Sequence, residues 1–309
     1  GCFSNHVLFF DLVTEKGQLI CCSRKENSEL FWETIGGMGL TGVIVKVRFT
    51  LKKIETSYIY QESIKANNLE EIIEVFNESD QWTYTVAWLD CMAKGKNLGR
   101  SILMRGEHLT LEKLPDAYKE NPLRRSSPPK FNIPFNFPSA CLNSLTMKVF
   151  NTMYFRKQVR KLKKSIIHFD PFFYPLDAVN NWNRVYGKEG FTQYQFVLPI
   201  EKSYEGLKKA LGLIAESGQG SFLTVLKLFG KNNPQAINSF PIEGYTLALD
   251  FKINRKSKQL FKNLDKLVSE LGGRVYFAKD AFSELPGYLK IKNHENFDSL
   301  LNKRVGFKS

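Results

Sequence analysis

Residues 191–278 carry alternating strand and helix signatures in the order β-α-β-β-α-β, and that order constrains the fold more than any other feature of the chain. The segment from Phe191 to Ile200 alternates as a strand, because successive side chains of a strand point to opposite faces. Ser203 is positioned to cap a helix in which Leu207, Ala210, Leu211 and Ile214 keep helical spacing, and Gly218 ends it. Phe222–Phe229 and Tyr245–Phe251 alternate again. Leu260, Leu264, Leu267, Val268 and Leu271 mark a second amphipathic helix, stopped by Gly272 and Gly273, and Arg274–Ala278 forms a last short strand. This is the ferredoxin-like split arrangement, with both helices packed on one face of an antiparallel sheet. A helix at Leu69–Phe76 and a strand at Tyr84–Leu89 begin a second such unit.

Because the helices take one face, strand parity sorts the polar residues onto the other. Gln193 and Gln195 share a side with Phe191 and Val197. Lys227 falls between Val225 and Phe229, while Thr246, Ala248 and Asp250 face away from Tyr245, Leu247, Leu249 and Phe251. Tyr276 follows on the last strand, with Lys279 just past its end. Two amides in a row offer donors and acceptors to a hydroxyl-rich ligand, and lysines among aromatics call for an anionic one. The competing reading is an edge strand with solvated glutamines.

Ahead of this region, a strand-turn-strand leads to a short helix near Ser28–Thr34. Four glycines, Gly36, Gly37, Gly39 and Gly42, then precede the strand Val43–Leu51. Val43, Val45, Val47, Phe49 and Leu51 are expected inside and Lys46, Arg48, Thr50 and Lys52 outside. The glycines let backbone approach something flat or charged. They precede a strand rather than linking a strand to a helix, so as a nucleotide motif they are weak and spacing alone favours a plain tight turn. Residues 114–165, with six prolines among basic and aromatic residues, read as an irregular zone, either a functional lid or a disordered loop.

The 309 residues allow two domains, and 43% hydrophobic with 24% charged residues describes a globular chain. No apolar run approaches a membrane span, no signal peptide is visible, and the chain starts as if cut inside a domain. Five cysteines without CxxC spacing argue against zinc and disulfides and for reduced thiols in a cytoplasmic setting. Four histidines form no HxxxH or HExxH pair. The net charge of +13 is locally dense at Arg124, Arg125, Arg156, Lys157, Arg160, Lys161, Lys163 and Lys164. Such a cluster suits a phosphorylated ligand, an anionic membrane or nucleic acid, or is a solvated basic loop.

Five segments occur in the order seen in a known family. They are His168–Asp177, Trp182–Gly187, Gln193–Phe196, Lys227–Gly230 and Tyr276–Asp280, with Leu30–Thr34 and Tyr84–Asp90 also fitting. Each is weak alone and specific in combination. The chain resembles the FAD-dependent decaprenylphosphoryl-β-D-ribose 2′-oxidases, within the vanillyl-alcohol-oxidase-like flavoproteins, nearly end to end. The resemblance implies an α+β, two-domain FAD-linked oxidase fold. Residues 1–55 would close the FAD-binding domain, 56–273 would form a ferredoxin-like substrate domain, and 274–309 would return to the FAD-binding domain.

It also implies oxidation of the ribose 2′-hydroxyl of a polyprenyl-phosphoryl ribose to a ketone. A short-chain reductase partner would complete epimerisation to the arabinose form used in cell-wall arabinan. Val43, Tyr276, Gly37 and Gly39 would contact FAD, and Lys279 would lie at flavin and substrate, where a cation stabilises an anionic reduced flavin. Gln193, Gln195, Lys227 and Thr246 would line the sugar-phosphate pocket, with Tyr174, Trp88 and Phe229 as apolar walls. No metal or nucleic acid is implied, and the expected setting is cytoplasmic, peripheral on the inner membrane. Two departures stand out. Thr246 and Ala248 replace an Asn-x-Cys of other members, and the family's N-terminal pyrophosphate loop, with the histidine before the Gly1 position, is absent, so weak FAD binding is expected. The alternatives are an aldonolactone-type oxidase on the same fold and a non-catalytic truncated module binding membrane or RNA.

Overall fold

The computed structural model describes residues 2–125, 131–138, 141–236 and 238–279. The strands are β1 (Val7–Val13), β2 (Leu19–Ser23), β3 (Val43–Phe49), β4 (Tyr58–Ala66), β5 (Tyr84–Leu89), β6 (Ser101–His108), β7 (Phe131–Asn132), β8 (Leu162–His168), β9 (Val179–Asn180), β10 (Phe191–Pro199), β11 (Thr224–Phe229), β12 (Gly244–Lys252) and β13 (Arg274–Val275). The helices are α1 (Ser28–Thr34), α2 (Leu69–Asn77), α3 (Asp116–Lys119), α4 (Ser144–Lys157), α5 (Phe169–Phe173), α6 (Ile200–Ser217) and α7 (Arg255–Glu270). No helix among the described residues is long and apolar enough to cross a membrane. Residues 280–309 of the expected return segment, and Pro128 and Pro129 of the proline-rich zone, lie outside the described residues.

The principal sheet has eight strands in the order β13-β10-β12-β11-β5-β6-β4-β8. Every neighbouring pair in it is antiparallel. The ferredoxin-like unit and the unit begun by β4, α2 and β5 are therefore halves of one sheet, joined where β11 meets β5. Helices α2, α6 and α7 cover a single face. Beneath them Tyr194, Phe196, Leu198, Leu247, Leu249 and Phe251 merge with Leu207, Leu211, Ile214, Leu260 and Leu264 into one buried core. The parity expected for β10 and β12 is the parity found, because each strand's odd or even set is the only one apolar enough to go under helices.

Four expectations need correction. Ser203 does not cap α6: the helix begins at Ile200 after Pro199, and the Ser203 hydroxyl lies inside its first turn, donating back to the Leu198 and Pro199 carbonyls. The last strand stops at Val275, where pairing with β10 ends at Phe196. The zone 114–165 is not structureless, since it contains the four-turn helix α4, closed by a capping box between Asn143 and Thr146.

The fourth concerns β3. It is the edge of a separate antiparallel sheet ordered β2-β1-β3, and every one of its residues is exposed, Val43 at 58% and Val45 at 57% included. The α1 residues Phe31 and Trp32 pack on Phe10, Leu12 and Cys22 of the other two strands and do not extend over β3. Strand alternation shows which side chains share a face, not that a layer exists to cover it.

Candidate functional site

The sheet face opposite the helices is laid out by strand register. Directly opposed residues in an antiparallel pair project to the same side. Trp88, Val225, Ala248 and Gln195 form one row across β5, β11, β12 and β10. Lys227, Thr246 and Val197 form the next, and Asp250 with Gln193 lies on the other side of the first row. Phe229 continues the row of lysine and valine along β11.

Hydrogen bonds orient the two amides. The Thr246 hydroxyl donates to the Phe196 carbonyl at 2.8 Å, so it meets Gln195 as an acceptor, and Gln195 Nε2 donates to it at 3.1 Å. Gln193 Nε2 donates to Asp250 Oδ1 at 2.6 Å, since an ionised carboxylate can only accept. Both glutamines are thus anchored by their NH2 groups and keep their carbonyl oxygens as acceptors. The Gln193 Oε1 atom is buried and takes no hydrogen bond.

Asp250 is 1% exposed, held between the Gln193 amide and the Tyr186 hydroxyl. Burial pushes its carboxyl up to about 6, against the opposing pull of the Gln193 amide, the Lys279 charge and the neighbouring Tyr186 hydroxyl. Tyr186 is itself buried, stacks on Phe191 at 4.5 Å, and is raised by burial and then by the Asp250 charge. Lys227 is lowered, first by desolvation from the protein around it and then by the positive charge of Lys279. Lys279 is therefore within electrostatic reach of both Lys227 and Asp250.

The chain after β13 brings Lys279 there. The Tyr276 amide donates to the Gln195 carbonyl at 2.8 Å, and a turn follows in which the Lys279 amide donates to Tyr276 at 3.1 Å. The Tyr276 ring stacks on Phe240 at 4.5 Å, and Phe240 meets Phe229 edge-on at 6.0 Å. The glycine run reaches the same loop. Gly36 has φ +74°, and a Cβ there would collide with the Asn238 carbonyl, two residues from Phe240. This close approach requires glycine at that position.

The structure thus brings Gln193, Gln195, Lys227, Thr246, Trp88, Phe229, Tyr276 and Lys279 to one face, with Gly37 and Gly39 in the adjoining glycine run. Val43 lies apart on the exposed edge of the small sheet. Tyr174 lies towards the other end of β5 from Trp88, its ring 6.1 Å from Phe173, which in turn packs edge-on against Tyr84 at 4.9 Å. Trp88 donates its indole N–H to the Phe222 carbonyl at 3.0 Å, so it serves the fold as well as the wall. Strand parity had already put Asp250 on this face. Tyr186 falls in the family-matching segment Trp182–Gly187 but had no role assigned, and nothing in the sequence pointed to Phe240 or to Tyr154, whose ring lies 4.5 Å from Trp88, because each arrives from a loop or a separate helix.

No family model matches the chain. It is 36% identical over 284 residues to decaprenylphosphoryl-β-D-ribose oxidase from Mycolicibacterium smegmatis, a match covering 91% of this chain and 61% of that protein. A protein of unassigned role from Streptomyces coelicolor is 27% identical over 290 residues, covering 91% of this chain and 77% of its own length. In fold, the chain superimposes on the xylooligosaccharide oxidase of Myceliophthora thermophila C1, solved with xylobiose, with a TM-score of 0.56 at 12% identity, over 96% of this chain and 64% of that one. By sequence the chain is similar to decaprenylphosphoryl-β-D-ribose oxidase, of which it spans 61%, and its mixed α/β fold with a large antiparallel sheet is similar to that of the xylooligosaccharide oxidase.

Proposed function

We propose that the chain forms the substrate wall, and part of the flavin side, of an FAD-dependent oxidoreductase. It oxidises the 2′-hydroxyl of a polyprenyl-phosphoryl ribose to the 2′-keto sugar. The observation that carries this reading is the pairing of two amide acceptors, Gln193 and Gln195, with two ammonium groups, Lys227 and Lys279, on one sheet face. A sugar offers hydroxyl donors to the first pair and its phosphate offers anionic charge to the second. The domain division into 1–55, 56–273 and 274–309 belongs to the same reading.

The residues present fit the cofactor. Lys279 supplies a cation, the Tyr276–Phe240 stack an aromatic surface, and the Gly36–Gly42 run a backbone stripped of side chains. When bound, FAD supplies the acceptor for the hydride that leaves the ribose carbon. The chain's own contribution is orientation and charge. Gln195, anchored through its Nε2 to Thr246, turns its carbonyl oxygen to a ribose hydroxyl and fixes its direction. Lys227 holds the phosphate. Lys279 places positive charge where negative charge develops as the hydride departs. Ala248 and Thr246 leave the centre of the wall small, with the Thr246 hydroxyl already committed to Gln195 and Phe196. A keto sugar with an intact phosphate fits a carbonyl-reducing enzyme as its consumer, and the resemblance supports reading that partner as a short-chain reductase in cell-wall arabinan synthesis.

Lys279→Ala in the protein expressed from its whole reading frame tests the reading. Flavin bleaching by a polyprenyl-phosphoryl ribose under anaerobic conditions is expected to slow by about 10²–10³-fold, the usual loss on removing one preorganised electrostatic group. Gln195→Leu is expected to raise KM for the same substrate. Unchanged bleaching in Lys279→Ala, or bleaching by a soluble sugar lactone but not by the lipid phosphate, would reject this assignment.

A further inference from the structure

Helix α4 has two apolar sides, and only one of them is used. Met147, Asn151 and Phe155 point inward. Asn151 donates to Asp90 at 2.9 Å, Arg100 pairs with Asp90 at 2.7 Å and donates to Thr152 at 2.8 Å, and Phe155 lies under the cations of Lys65 and Arg100. These contacts fix which side faces the protein. On the opposite side, at helical spacing, stand Leu145 at 68% exposure, Val149 at 50% and Met153 at 67%, flanked by the exposed ring of Phe150. A solvent-facing stripe of leucine, valine and methionine is the reverse of what a helix on a soluble surface carries.

The charges around the stripe specify what covers it. Arg156 and Lys157 end the helix, and Arg160, Lys161 and Lys163 follow in the next six residues, all exposed. No acidic residue occurs between Cys141 and His168. An apolar helix face ending in a run of cations matches a bilayer with anionic headgroups: the side chains enter the acyl boundary and the cations meet phosphate. The stripe is also continuous with the candidate site. Tyr154 packs on Trp88 at 4.5 Å and Phe150 on Phe222 at 5.6 Å, so the same helix rims the wall of Gln195 and Lys227.

We propose that α4 and the basic segment after it form a peripheral docking surface for an anionic membrane, with Leu145, Val149 and Met153 inserted and the Arg156–Lys163 cations on the headgroups. A lipid-linked substrate would then pass from bilayer to wall along one helix. The docking rests on this surface alone and is read without substrate or turnover, so its failure leaves the oxidase reading standing, and the reverse.

Sedimentation of the purified protein with phosphatidylglycerol vesicles is expected to show binding that weakens with salt, with little binding to phosphatidylcholine. The triple variant Leu145→Gln, Val149→Gln, Met153→Gln removes only exposed groups, so its circular dichroism should match the parent while its vesicle affinity drops by about tenfold or more. A Met153→Trp variant should show quenching by brominated acyl chains. Absence of binding to phosphatidylglycerol overturns the proposal. So does an unchanged affinity in the triple variant, an indole at position 153 that brominated lipid does not quench, or salt-sensitive binding to RNA in place of vesicles.

Discussion

Asp250 shows how one residue is set by its surroundings. A carboxylate on β12 is unremarkable in sequence, yet beneath the wall its ordinary value of 3.8 is raised to about 6 by burial. Above both values the charged form is buried at a cost on the order of 3 kcal/mol, from a shift of about two units at 1.36 kcal/mol each. As pH falls through 6 towards 4 the folded state takes up a proton before the unfolded chain does, and that cost is relieved. Asp250→Asn should therefore be more stable than the parent at pH 8 and lose the advantage by pH 4.5. Urea titrations at the two values measure it, and a pH-independent difference between the proteins would contradict the buried-carboxylate account. The residues of the wall were legible to this extent: parity placed Gln193, Lys227, Thr246 and Asp250 on one face. The hydrogen bond between Gln193 and Asp250 was not, because it joins residues 57 apart and depends on which strands become neighbours.

At the level of elements, α4 escaped sequence reading for a physical reason. Helix recognition relies on one apolar and one polar side, and α4 is apolar on both, one side toward Phe155's neighbours and the other outward. Its capping box was present in the sequence at Asn143 and Thr146 but lies amid prolines, which speak for loop. The helix is attached through a buried carboxylate, and Asp90→Ala takes the anionic partner from the Arg100 guanidinium and leaves the Asn151 amide only the Ser221 carbonyl. A loss of about 3 kcal/mol is expected, as for other broken buried pairs, with α4 the first segment to lose hydrogen-exchange protection. Uniform loss of protection across the sheet would show that α4 is not locally anchored by this pair. By contrast α6 and α7 were readable, their apolar spacing matching the single face they bury, and only the first turn of α6 was misassigned, because Pro199 starts it where a serine was expected to cap.

For the whole molecule, the outlier is β3. Among the described residues nothing covers either of its faces or pairs with its outer hydrogen-bonding edge, and Val43, Ile44, Val45, Val47 and Phe49 are all exposed. Unprotected apolar edges recruit other strands. A preparation of residues 1–309 alone should associate as concentration rises, and Val45→Lys should shift it towards monomer in light scattering. A chain that stays monomeric without the lysine would mean the edge is guarded in some other way.

The sequence by itself determined the period of each strand and helix, the side of the large sheet that goes under helices, and the set of polar residues left on the other. Those properties are carried by spacing within one element, and spacing survives without knowledge of neighbours. Only the tertiary structure decided that β11 pairs with β5 to fuse two units into eight strands, that Asp250 lies under Gln193 and within electrostatic reach of Lys279, that α4 turns an apolar stripe outward beside Trp88, and that β3 has nothing over it among the described residues. Each of these depends on pairing between distant segments, where the free energy is set by burial and register across the sheet rather than by any local pattern.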